Sequence, residues 1–106
     1  MSVIEKNKID AMGKSKTANE LILMIADHLD WENEYEHLIV LQDKINSYIG
    51  FIEARDFRET YPTDNFSGYI IEIHFQYEVS ENCIKFLDTV ANQTEELGVK
   101  IRVNIV

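Results

Sequence analysis

The 106 residues carry ten Lys and Arg against nineteen Asp and Glu, a formal net charge of −9, with 45% hydrophobic and 27% charged residues. That length suits a single domain over residues 1–106 with no spare chain for a second core, and the composition is globular rather than disordered. A nucleic-acid binder is disfavoured because duplex recognition needs a basic stripe. A membrane span is disfavoured because the longest apolar run, Leu21 to Ala26, falls far below the roughly 18 to 20 residues required.

In chain order, Ile9 to Met12 reads as a short strand, Gly13-Lys14-Ser15-Lys16-Thr17 as a polar turn, and Glu20 to His28 as a second strand. Gly13-Lys14-Ser15 looks like the end of a phosphate loop. That motif needs another glycine five residues earlier, where Lys8 stands, and a helix afterwards, where a strand is expected. The four lysines before residue 19 are too few and too mixed with acids to bind a duplex backbone.

The densest polar stretch follows, from Asp27 through His28, Asp30 and Trp31 to His37. Its acids and histidines could ligate a cation or pair for acid–base work. His28 and His37, however, are nine residues apart rather than at zinc-ligand spacing. Acids also gather before helices because they offset the positive N-terminal end of the helix dipole. A helix-start cluster, with Trp31 closing the edge of the core, is the reading adopted, and no metal or cofactor is expected.

A long helix is predicted next. Leu38, Leu41, Ile45, Tyr48, Ile49 and Ile52 recur at three- and four-residue spacing, with Asp43, Lys44, Asn46, Ser47 and Glu53 assigned to the opposite face. Running from Glu34 to Arg58 it would span about 37 Å, in a domain only about 35 Å across. It should therefore fray after Glu53 or project, and Gly50 marks a place for close packing or a bend. Around the single proline, Tyr61, Phe66 and Tyr69 put aromatics on a loop that either meets a partner or lids the helix end.

Tyr69 to Val79 alternates with period two, setting Ile71, Ile73 and Phe75 on one face and Ile70, Glu72, His74 and Gln76 on the other. Ser80 is a natural N-cap and Gly98 a natural stop for a helix presenting Ile84, Leu87, Val90, Ala91, Thr94 and Leu97. Cys83, in its first turn, lacks a basic partner in sequence and reads as a small core residue. Val99 to Ile105 alternates again. The order β-β-α-β-α-β gives an α+β two-layer sandwich: a four-stranded mixed sheet with two helices on one face.

Asp27-His28-Leu29-x-Trp31, then His37-Leu38-x-x-Leu41-Gln42-x-Lys44-Ile45-Asn46-x-Tyr48-Ile49-x-Phe51-Ile52-Glu53 and the Tyr61-Pro62 pair, resembles a group of small bacterial proteins known as a domain of unknown function, DUF6572. The resemblance implies a stand-alone bacterial protein of about this length. It carries no assigned activity, so no catalytic residue transfers. The expectation is a cytoplasmic, non-enzymatic protein-interaction module. Its contacts with a protein partner or a second copy are expected at the open sheet face with His74, at the aromatic loop with Tyr61 and Phe66, or at the acidic stretch. The alternative is a small metal- or ligand-binding protein or enzyme using Asp27, His28, Asp30, Trp31 and His37.

Overall fold

The computed structural model describes residues 3–105. Four strands, β1 (Ala11–Lys14), β2 (Glu20–Asp27), β3 (Gly68–Phe75) and β4 (Val99–Ile105), and two helices, α1 (Glu34–Glu53) and α2 (Glu81–Thr94), follow in the expected order. The sheet runs β1-β2-β3-β4, antiparallel between β1 and β2 and parallel thereafter. Each parallel step is made by one helix, as a crossover requires. The register sets Leu23 beside Ile71 and Ile25 beside Ile73. These residues share one buried cluster with Leu41, Ile45, Tyr48 and Ile52 of α1 and with Leu87 and Val90 of α2. The two helices thus cover the same face.

β1 lies two residues later than the alternation suggests, and Gly13 and Lys14 belong to it rather than to the turn. The cause is Asp10. Its Oδ2 accepts the Ala26 amide at 2.9 Å, where a ladder carbonyl would otherwise sit, so regular pairing begins at Ala11 opposite Met24. Ser15 closes the turn: its amide donates to the Glu20 carbonyl, and its hydroxyl accepts from the Thr17 and Ala18 amides.

α1 starts at the N-cap Asn33, whose side chain accepts the Glu36 amide, while Asn33 Nδ2 donates to Glu36 Oε2 at 2.8 Å. It ends at Glu53, one of the two outcomes its length left open. Arg55 turns the chain left-handed (φ 60°), and a 3-10 turn over Asp56–Glu59 tucks Phe57 into the core. Gly50 is exposed with open space where a Cβ would stand, so it marks no close packing.

The face assigned to Lys44 is wrong: it is fully buried. Its ammonium donates to the Glu5 carbonyl (2.6 Å), the Lys8 carbonyl (2.6 Å) and Asp10 Oδ1 (2.9 Å), and so all three of its protons are used. The Tyr48 hydroxyl completes the cluster, accepting the Asp10 amide at 2.8 Å and donating to the Met24 carbonyl at 2.5 Å. Burial, followed by the neighbouring Asp10 charge, pushes the Tyr48 phenol well above its usual range, so it remains a neutral donor.

In α2 the Ser80 cap and the left-handed Gly98 are as expected, with a 3-10 turn, Glu95–Leu97, before the glycine. The buried stripe is Cys83, Leu87, Val90 and Thr94, whereas Ile84 is 48% exposed. The buried stripe runs through Cys83 rather than Ile84, at steps of four, three and four residues. β3 stops at Phe75, leaving Tyr77 half exposed beyond the sheet. On the open face Ile70 is buried between Ile22 and Lys100 of the adjoining strands, so that face is not uniformly polar.

Candidate functional site

The expected site residues divide into three places. Asp27 and His37 come together at the carboxyl end of β2. Both Asp27 carboxylate oxygens lie against His37 Nε2, at 2.6 and 2.8 Å, and both residues are buried. His37 Nδ1 is 3.0 Å from the Asp30 carbonyl oxygen. A carbonyl can only accept, so Nδ1 carries the proton, and a further proton lies between Nε2 and the carboxylate. Asp27 Oδ1 also accepts the Leu29 amide at 3.1 Å.

Trp31 stacks on the His37 ring, with centroids 3.8 Å apart and planes 20° from parallel, and its ring lies 6.2 Å from that of Phe75, tilted by 39°. Its indole Nε1 is buried without a hydrogen-bond partner among the described residues. Asp30 Oδ1 accepts the Glu32 amide, fixing the turn that feeds α1. Every polar atom of the His37 ring is thus committed to holding this turn against β2. His28 stands outside the cluster, exposed beyond the end of β2.

Beside this lock lies a cavity of about 450 Å³. Its apolar lining is Ile4, Leu29 and Val40, its inner end is His37, and its polar lining is Asp30, Glu32, Asn33 and Glu36. The three carboxylates are exposed. Along α1 the exposed charges continue with Asp43 and Glu53, and the only lysine or arginine in the helix, Lys44, is buried. The opening therefore adjoins a helix surface of a single sign.

Tyr61 and Phe66 lie elsewhere. Phe66 packs edge-on against Phe57 (5.7 Å) and Tyr61 (5.9 Å), with Tyr69 alongside, all against the core below the end of α1. This is the lid arrangement. His74 sits on the open face, with Nε2 2.7 Å from Glu72 Oε1, while Arg102 holds the other Glu72 oxygen at 3.0 Å. Burial alone would raise the Glu72 carboxyl, but the hydrogen bonds and charges of Arg102 and His74 outweigh it and hold the group below its usual range.

No three His, Cys, Asp or Glu side chains among the described residues form a group able to hold a metal ion. Cys83 is fully buried, and burial, reinforced by the Asp27 and Glu34 charges, pushes its thiol up to about 12. The folded chain should therefore resist alkylation by iodoacetamide at neutral pH and label only on unfolding; rapid labelling in buffer would contradict this burial.

Sequence reasoning missed the Asp10–Lys44–Tyr48 cluster and the part Ile4 and Val40 take in the cavity. Spacing did carry a signal for the first: His37, Leu41, Lys44, Tyr48 and Ile52 all fall at three- or four-residue intervals.

A mixed four-stranded sheet carrying both helices on one face, with a histidine–carboxylate lock beneath an acidic cavity, defines a small two-layer α+β protein. Among the described residues no helix is long and apolar enough to cross a membrane. Over residues 1–106 the sequence matches the family of unknown function DUF6572, and the chain belongs to it. No curated protein and no solved structure matches the chain.

Proposed function

We propose that this protein is a non-enzymatic interaction module that receives a basic side chain of a protein partner in the acidic cavity at the head of α1. The observation that carries the reading is the pairing of an apolar lining (Ile4, Leu29, Val40) with exposed carboxylates at Asp30, Glu32 and Glu36. Lysine and arginine have this character: an aliphatic stem that favours apolar contact and a cationic head that favours carboxylates. The acid-only exposed charge of α1 extends the attraction over the surface and speeds encounter with a positively charged partner.

Binding rather than catalysis is favoured because neither His37 nor Cys83 is free to react. Both His37 nitrogens are engaged, and the Cys83 thiol is buried with its proton retained. A reducing cytoplasm suits that unpaired thiol.

The test is affinity capture from the native source at low salt, comparing wild type with the Asp30→Asn, Glu32→Gln, Glu36→Gln variant. These isosteric changes keep the cap bonds of Asn33 within reach. The expected result is a stoichiometric basic protein held by wild type and lost by the variant, with association slowing about tenfold or more between low and high salt. A partner retained equally by both proteins, or an on-rate indifferent to salt, would overturn the assignment of this cavity.

A further inference from the structure

The two edges of the sheet differ. β1 is four residues long, contains Gly13 and runs into a polar turn, which blunts it as an edge. β4 is seven residues long, without proline, glycine or bulge, and its register against β3 is continuous from Val99 to Ile105. Its outer side has no neighbouring strand among the described residues. Nor do the helices cover its far end: Val103 and Ile105, on the helix-bearing face, are 43% and 47% exposed.

The phase of the backbone along that edge follows from one bond. The Tyr69 amide donates to the Gly98 carbonyl at 3.0 Å, while Tyr69 stands opposite Val99. In a parallel ladder this turns the amides and carbonyls of Lys100, Arg102 and Asn104 toward β3. Those of Val99, Ile101, Val103 and Ile105 then point outward. We infer that β4 pairs antiparallel with β4 of a second copy of this chain, about a two-fold axis at Val103, joining the two four-stranded sheets into one.

In that register Val103 meets Val103 of the other copy, and Ile101 meets Ile105. Of the four outward-pointing residues, Ile101, Val103 and Ile105 then find ladder partners, and the exposed apolar side chains cover one another. On the opposite face Arg102 meets Asn104. A register one residue lower at each strand would set Arg102 against Arg102, where like charges directly opposite are destabilising. The charge pattern of the strand thus selects the Val103-centred pairing. The edge also lies in the less acidic part of the chain, with Lys100 and Arg102 on the strand itself.

Sedimentation equilibrium of the full chain tests this directly. The expected mass is twice 12.4 kDa at high concentration, falling to 12.4 kDa on dilution. Added salt should tighten the association, because two chains of −9 repel each other. This is opposite in sign to the salt response of the cavity partner, so failure of one reading is distinguishable from failure of the other. Asn104 is exposed, so substitutions there leave the core intact. Asn104→Glu, facing Arg102 of the other copy, should tighten the dimer severalfold, and Asn104→Lys should loosen it by a similar factor. A mass of 12.4 kDa at every concentration and salt would overturn the pairing. So would a dimer indifferent to both Asn104 substitutions, since another surface would then hold the copies together.

Discussion

Lys44→Met should destabilise the protein by about 3–5 kcal/mol, the usual cost of removing one partner from a buried ion pair. The methionine fills most of the lysine volume, so the loss is electrostatic rather than a cavity. It leaves the Asp10 carboxylate buried with only the Ala26 amide on its other oxygen, and it leaves the Glu5 and Lys8 carbonyls without their shared donor. A domain of this size is typically stable by only about 5–15 kcal/mol, so the variant should unfold at markedly lower urea concentration.

The partner variant Asp10→Asn should also destabilise, because a buried ammonium then faces a neutral amide. The double variant should cost clearly less than the sum, as expected for residues sharing one network. A loss below about 1 kcal/mol for Lys44→Met, in the range of an exposed pair, would contradict the burial of this cluster.

His37→Ala carries the second large effect. It strands the Asp27 carboxylate in the core with only the Leu29 amide, removes the ring beneath Trp31 and frees the Asp30 carbonyl. About 3 kcal/mol or more should be lost, chiefly through the unpaired buried carboxylate, with a smaller contribution from the ring stack. Trp31 is the only tryptophan, so the change is also visible locally. Its emission should shift to the red as the indole loses its cover, while far-ultraviolet circular dichroism stays close to wild type. Unchanged emission together with unchanged stability would show that the lock does not hold the turn.

These two variants bear on how much of the structure the residues announced. The architecture was legible because strand and helix periods are set by burial of one face. Tyr69 to Phe75 alternates, α1 repeats at three and four, and Ser80 and Gly98 bracket α2. Lys44 was misassigned because a lysine is ordinarily solvated, and position alone does not reveal the three oxygens waiting for it. Two of those oxygens are main-chain carbonyls at residues 5 and 8, and the third belongs to Asp10. Nothing in local pattern ties them to α1 more than thirty residues later. The same buried acid explains why β1 begins at Ala11, since the strand boundary was decided by a tertiary bond and not by propensity.

The site was legible in part for a similar reason. Asp27, His28, Asp30, Trp31 and His37 form one dense polar stretch in sequence, and all but His28 join one connected structure. Sequence proximity could not show that the histidine points inward to β2 while the remaining carboxylates face the opening. Nor could it bring Ile4 to the same cavity, because the chain between them passes through two strands. His28, adjacent in sequence to Asp27, is separated from the lock by the alternation of the strand it follows.

Binding in the cavity is tested by amide chemical-shift mapping of the isotope-labelled protein, titrated with a short peptide alternating lysine and leucine. Saturable shifts are expected, concentrated at Leu29, Asp30, Glu32, Glu36 and Val40 and abolished by salt and by the Asp30→Asn, Glu32→Gln, Glu36→Gln changes. Shifts spread evenly over Asp43, Glu53, Asp88 and the other exposed acids, with no preference for the cavity, would contradict it, since the attraction would then be diffuse charge without a built site.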